Sequence, residues 1–172
     1  MLFFIIRIEN FEEMRRAMQI CRLTKRNIKT GLELVEEVFD EFLEPIYTKM
    51  GVETFRYFIR EENIISMMEK GEMIFYGAYV ENELVGVIAL RSPQHLSLLF
   101  VKQEYQRQGV AKKLFRMVRS LYVGKKLEKP YLTVNASPYA VEVYKRLGFA
   151  PIGKEEEKDG IRFTPMLFRL DI

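Results

Sequence analysis

The run His95 to Ala111, HLSLLFVKQEYQRQGVA, restricts the possible folds more tightly than any other stretch of the chain. From His95 to Val101 it is apolar and short, the pattern of a buried strand. Gln106-Arg107-Gln108-Gly109-Val110-Ala111 then turns directly into a helix. Val110, Leu114, Met117, Val118 and Leu121 fall at i, i+4, i+7, i+8 and i+11, one apolar face. Lys112, Lys113, Arg116 and Arg119 lie on the other side.

The charges at this helix start are unusual. The first turn of a helix carries unpaired amides and a partial positive charge, so Asp or Glu is favoured there. Here the first turn holds Lys112 and Lys113, with Arg107 just upstream. Cations gathered on a positive helix end repel unless an anion joins them. Gly109 lets the backbone approach a ligand, with free amides pointing at it. Strand, glycine turn and basic helix start together suggest a phosphate or pyrophosphate site.

Gln106-x-x-Gly109-x-Ala111 after a buried strand resembles the acetyl-CoA signature Q/R-x-x-G-x-G/A of the GCN5-related N-acetyltransferase (GNAT) family. Val134-Asn135-Ala136-Ser137-Pro138-Tyr139-Ala140 through Tyr144-Lys145-Arg146-Leu147-Gly148-Phe149 resembles the second half of the same family core. The resemblance covers about residues 17 to 170, the first half by element order alone. It implies an α/β domain with a mixed, mostly antiparallel sheet flanked by helices. The sheet would be splayed between the central strand and the Tyr131 strand, where acetyl-CoA enters.

Other classes are disfavoured. A net charge of +3, from 27 basic and 24 acidic side chains, is too small to argue for nucleic acid. One cysteine, Cys21, excludes an internal disulfide, and one histidine argues against a zinc cluster. No run of about 18 apolar residues is available to span a membrane. Met1 to Ile6 lacks a basic start and a cleavage site, so a cytoplasmic protein is expected. A P-loop hydrolase fails because the Gly-Lys-Ser/Thr ending is absent.

In chain order, residues 1–16 are expected to form an extension, a strand and a short helix packed on a domain spanning 17–172. Met18 to Leu23 reads as a strand, with Thr24 or Asn27 capping a helix from Ile28 to Leu43. Ile28, Leu32, Val35, Phe39 and Phe42 mark its buried face, and Glu33, Glu36, Glu37, Asp40, Glu41 and Glu44 make the rest acidic. A second helix follows Gly51 and runs to Met68, with Gly71 beyond its end. Strands Met73–Val80 and Leu84–Arg91 flank a Glu81-Asn82 turn, and Ser92-Pro93 leads into the central strand. Pro130–Val134 is a strand, and Ser137 caps a helix with Pro138 at its first position and Gly148 at its end. Phe149–Gly153 and Ile161–Leu170 are strands joined by the charged turn Lys154–Gly160.

Amide formation from a thioester needs an amine freed of its proton, a polarised carbonyl and a stabilised leaving thiolate. Ala140, Val143, Tyr144 and Leu147 share one helix face, so Tyr144 points inward, where a phenol needs a partner. The resemblance makes Tyr144 the general acid. His95 stands eleven residues before Gln106, where the histone-acetylating branch of the family has a glutamate base. A histidine with a pKa near 6.5 suits that task. The family pattern further implies that Leu99, Phe100 and Val101, the segment from Gln106 to Lys113, and Asn135 and Ser137 hold acetyl-CoA.

It also implies that Phe42 and Tyr47 shape the acceptor pocket. Glu37 and Glu41 would draw in a cationic amine through their charge, unless the acidic helix face is simply solvated. The expected reaction is direct acetyl transfer to a small-molecule or peptide amine by a monomer or homodimer. Cys21 lies on the opening strand and not beside the motif, which disfavours a cysteine nucleophile. A non-catalytic acyl-CoA-binding regulatory module on the same fold is the alternative.

Overall fold

The computed structural model describes residues 17–92 and 94–170, so the expectations for residues 1–16 and for Pro93 fall outside the described residues. The elements run β1 (Gln19–Leu23), α1 (Ile28–Phe42), α2 (Lys49–Phe58), α3 (Glu61–Glu69), β2 (Met73–Val80), β3 (Glu83–Arg91) and β4 (His95–Val101). There follow α4 (Val110–Ser120), β5 (Tyr131–Ala136), α5 (Val141–Leu147), β6 (Ala150–Pro151), β7 (Glu156–Lys158) and β8 (Ile161–Arg169). The sheet order is β1-β2-β3-β4-β5-β8-β6, and β7 pairs with β8. Every pairing is antiparallel except β4 with β5. Among the described residues no helix is long and apolar enough to cross a membrane.

Two apolar cores lie on opposite faces of this sheet. One joins α1, α2 and α3 to β2, β3 and β4 through Val35, Phe39, Phe55, Phe75, Leu98 and Phe100. Phe39 is fully buried, stacked on Phe55 at 5.6 Å or less from both its ring neighbours: 4.1 Å to Phe55 and 5.6 Å to Tyr47. The other core packs α4 and α5 on β2, β4, β5 and β8 through Leu96, Leu114, Val118, Leu132, Tyr144 and Met166. Burying each large apolar side chain contributes about 1.5–3 kcal/mol. The expected stripe of α4 is present. Val110, Leu114 and Val118 are buried and Met117 and Leu121 half-buried. Phe115, off that stripe, is also buried, packed against Phe149 and Phe168.

Several boundaries differ from the sequence reading. Phe42 is half-buried, and Leu34 and Val38 complete the buried face of α1 instead. The second helical region is two helices, because Arg60 leaves helical geometry at ψ 135° and the Asn63 side chain takes the Tyr57 carbonyl at 2.7 Å. Gly51 lies inside α2, whose cap is Thr48, with Oγ1 accepting from the Gly51 amide at 3.1 Å. α5 begins at Val141, since the Ser137 carbonyl first closes a turn onto the amides of Ala140 and Val141. The Lys154–Gly160 segment is not a plain turn but contains β7.

The β7–β8 hairpin turns at Asp159 and Gly160, both with positive φ. Its tip is fastened to α2. Thr48 Oγ1 donates to the Gly160 carbonyl at 3.2 Å, and Thr54 Oγ1 donates to the Asp159 carbonyl at 3.0 Å. A Cβ on Gly160 would meet the Gly51 amide nitrogen and Thr48 Oγ1 at 2.4 Å each, with φ at +78°. Gly160→Ala is expected to lower stability by at least about 1–2 kcal/mol, the cost of left-handed backbone before the clash is counted. Urea unfolding with an unchanged slope and a lower midpoint reads this; an unchanged midpoint would mean the tip is not fastened as described.

Candidate active site

β4 and β5 run parallel but pair only at His95↔Thr133 and Leu96↔Val134. Beyond that point β4 stays with β3 to Val101↔Gly86, while β5 follows β8 to Ala136↔Thr164. A gap therefore opens between two parallel strands inside one sheet. The β3–β4 register skips Ser97, a bulge that falls next to the parting. The Lys102 amide donates to the Val85 carbonyl at 3.0 Å. Because successive residues of a strand alternate, Leu99 and Val101 turn their backbone groups away from β3 and into the gap.

At the wide end of the gap stands the glycine turn. Gly109 is the N-cap of α4 at φ 87°, with no side-chain cap and no acid in the first turn. The amides of Val110, Ala111 and Lys112 thus have no intrahelical acceptor. Gln106 Nε2 donates to the Val101 carbonyl at 3.0 Å, and its Oε1 accepts from the Tyr139 hydroxyl at 3.2 Å. Gln106 thereby joins the end of β4 to the segment after β5. Arg107 is exposed at φ 60°, Gln108 bonds the Glu104 carbonyl, and Lys112 is exposed. Lys113 does not point outward with Lys112; its ammonium donates to the Met18 carbonyl beside β1, and burial lowers its pKa.

At the narrow end, a cavity of about 350 Å³ lies against His95 to Phe100. Asn135, Ser137, Ala140 and Tyr144 form one wall; Tyr47, Thr54, Phe55 and Phe58 form another, and the β7–β8 hairpin closes it. Tyr144 is 5% exposed, and its hydroxyl makes no hydrogen bond with any described residue. Burial pushes its pKa well above the ordinary tyrosine value, so the phenol stays protonated. His95 is half-buried, with Nδ1 2.9 Å from Thr133 Oγ1. Burial first, and then the charge of Arg91, hold its imidazole below the usual histidine pKa.

Tyr47 reaches this cavity, and the other three residues expected around the acceptor do not. Phe42 stacks on Tyr139 with ring centres 5.0 Å apart. Glu37 and Glu41 are exposed on α1. Glu37 acts electrostatically on Lys102, just past the far end of β4 from His95, a strand length of about 20 Å. Their period placed them on a helix, and only the packing of α1 decided which end of the sheet they face.

The family model of the acetyltransferase (GNAT) domain matches residues 43–170. The chain belongs to the GNAT acetyltransferase family. Solved GNAT structures share its fold. One is a GCN5-related N-acetyltransferase from Rhodopseudomonas palustris, with TM-score 0.73 at 18% identity, covering 88% of this chain and 95% of that one. Another is the PaiA N-acetyltransferase of Thermoplasma acidophilum in complex with coenzyme A, with TM-score 0.70 at 21% identity, covering 88% and 98%. A spermidine N-acetyltransferase chimera, SpeG from Vibrio cholerae with hSSAT, gives TM-score 0.63 at 15% identity, covering 90% and 96%. No curated protein matches the sequence.

Within this GNAT domain the sequence signatures lie on the gap and the cavity, but several cavity residues carried no signal of their own. Thr133 is an ordinary strand residue until β5 is set beside His95. Arg91 closes β3 and reads as a strand-end charge until the β3–β4 register places it opposite His95. Lys158 and Asp159 sit in a charged turn whose docking on α2 depends on Thr48 and Thr54, more than 100 residues earlier.

Proposed function

We propose that this GNAT protein moves an acetyl group from acetyl-CoA to a primary amine by direct attack. The observation that carries the reading is Tyr144, a buried phenol without a hydrogen-bond partner among the described residues, opening on the cavity where β4 and β5 part. The residues present fit the cofactor. The unpaired first-turn amides of α4 suit a pyrophosphate, helped by exposed Lys112 and Arg107. Leu99 and Val101 offer backbone groups along the gap, and Asn135 and Ser137 stand on its other side.

When bound, acetyl-CoA supplies an activated acyl group. His95 takes the proton from the attacking amine at Nε2, which is free for this when Nδ1–H is donated to Thr133 Oγ1. The apolar walls and the Arg91 charge favour a neutral amine over an ammonium, so His95 meets a nucleophile already inclined to lose its proton. Tyr144 donates its phenolic proton to the departing sulfur.

Two measurements test the reading. Thiol release from acetyl-CoA across an amine panel should show turnover; binding without turnover on any amine would leave an acyl-CoA-binding module. Lys112→Glu should weaken CoA by roughly three- to thirty-fold, as a reversed charge at a helix start would, and leave a pantetheine fragment without phosphates unaffected. Equal losses on both would remove Lys112 from the phosphates.

A further inference from the structure

The charges on the cavity wall differ from what the acidic helix face led one to expect. Two cations, Arg91 and Lys158, and one carboxylate, Asp159, line it. Neither Arg91 nor Lys158 makes a hydrogen bond or ion pair with another described residue. Three other exposed cations are engaged by carboxylates, Lys25 by Glu69, Lys145 by Glu142 and Arg162 by Glu155, whereas the Arg91 charge acts on the His95 imidazole. Arg91 pairs with His95 across the antiparallel strands β3 and β4. Residues opposite one another in such a pair share a face, with Cβ atoms about 4.5–5.5 Å apart. An unpaired guanidinium thus stands next to the imidazole, at the rim of a cavity of small-molecule size.

We infer that the acceptor is a small amine that also bears an anionic group, a carboxylate or a phosphate, bound by Arg91 with Lys158 while the amine lies at His95. The inference rests on reading this cavity as the acceptor site. A guanidinium presents paired donors that match the planar edge of a carboxylate or two phosphate oxygens. Lys158 lines the cavity from the β7–β8 hairpin, and the hairpin tip is held by the bonds from Thr48 and Thr54. A dicationic amine would instead meet a wall of net positive charge, with Asp159 the only carboxylate among the lining residues.

His95 is the chain's only histidine, so its ring resonances in the untagged protein report occupancy of this cavity without any turnover. The probes are matched pairs: β-alanine against β-alaninamide, and O-phosphoethanolamine against ethanolamine, with putrescine as the dication. The anionic member of at least one pair should shift the His95 ring at roughly ten- to hundred-fold lower concentration than its neutral match, the range for a hydrogen bond to a charged group. Which pair shows the gap identifies carboxylate or phosphate. Arg91→Ala should abolish the gap and Arg91→Lys restore part of it. Equal potency within both pairs, stronger binding of putrescine, no shift by any probe, or a preference that survives Arg91→Ala with Lys158→Ala would each overturn the inference. If the binding preference holds while no amine is acetylated, the transferase reading fails and the anion site stands.

Discussion

Tyr144→Phe is expected to lower kcat by about 10²- to 10⁴-fold, the usual worth of a positioned proton donor, with CoA affinity nearly unchanged. The phenol would serve sulfur only as it leaves, an interaction made in the transition state and not with the bound cofactor, so kcat and kcat/KM should fall together. Thermal stability separates this from a packing role. The Tyr144 hydroxyl has no hydrogen-bond partner among the described residues, so deleting it leaves no orphaned group behind. The ring that packs edge-on against Phe149 at 5.3 Å is retained. The variant should therefore be at least as stable as the parent. Full turnover in Tyr144→Phe would reduce the residue to a core aromatic.

His95→Ala should produce the second largest effect, again about 10²- to 10⁴-fold in kcat/KM near neutral pH. The sign of the pH dependence follows from the cavity. A base must be neutral to accept a proton, so kcat/KM of the parent falls as pH drops through the pKa of His95. Burial and the Arg91 charge both disfavour the imidazolium, which sets this limb below the ordinary histidine value near 6.5. Sequence alone would place it at that ordinary value. In His95→Ala the acid limb should vanish, with activity recovering at high pH as free amine becomes available. A profile overlaying that of the parent would retire the role. Glu37 and Glu41 are poor replacements, being exposed on α1 and absent from the cavity wall.

Much of the fold was legible because it is encoded locally. The His95–Val101 strand is observed with those bounds. The Glu81-Asn82 turn is a left-handed pair, with φ 49° and 68°, which two-residue hairpins favour. Gly148 ends α5 at φ 101°. The α4 stripe and its acid-free first turn follow from 3.6-residue periodicity and from charge counted within one turn. Such features depend on neighbours a few residues away, so a sequence displays them directly.

The candidate site was legible where a motif carries it, and elsewhere only the tertiary structure decided. Gln106 and Gly109 stand at the gap, and Tyr144 opens on the cavity. No local rule says that β4 and β5 part after Leu96 and Val134, because each strand's second neighbour, β3 or β8, pulls it away. Lys112 and Lys113 are adjacent in sequence, yet successive helix positions point about 100° apart, so one faces solvent and the other reaches Met18. Whether a charge lies at a cavity or in solvent is set by packing between elements far apart in the chain. That is why the acidic face of α1 was readable as a face but its place relative to the cavity was not, while Arg91 and Lys158 come to one cavity wall only once β3 and the β7–β8 hairpin enclose one space.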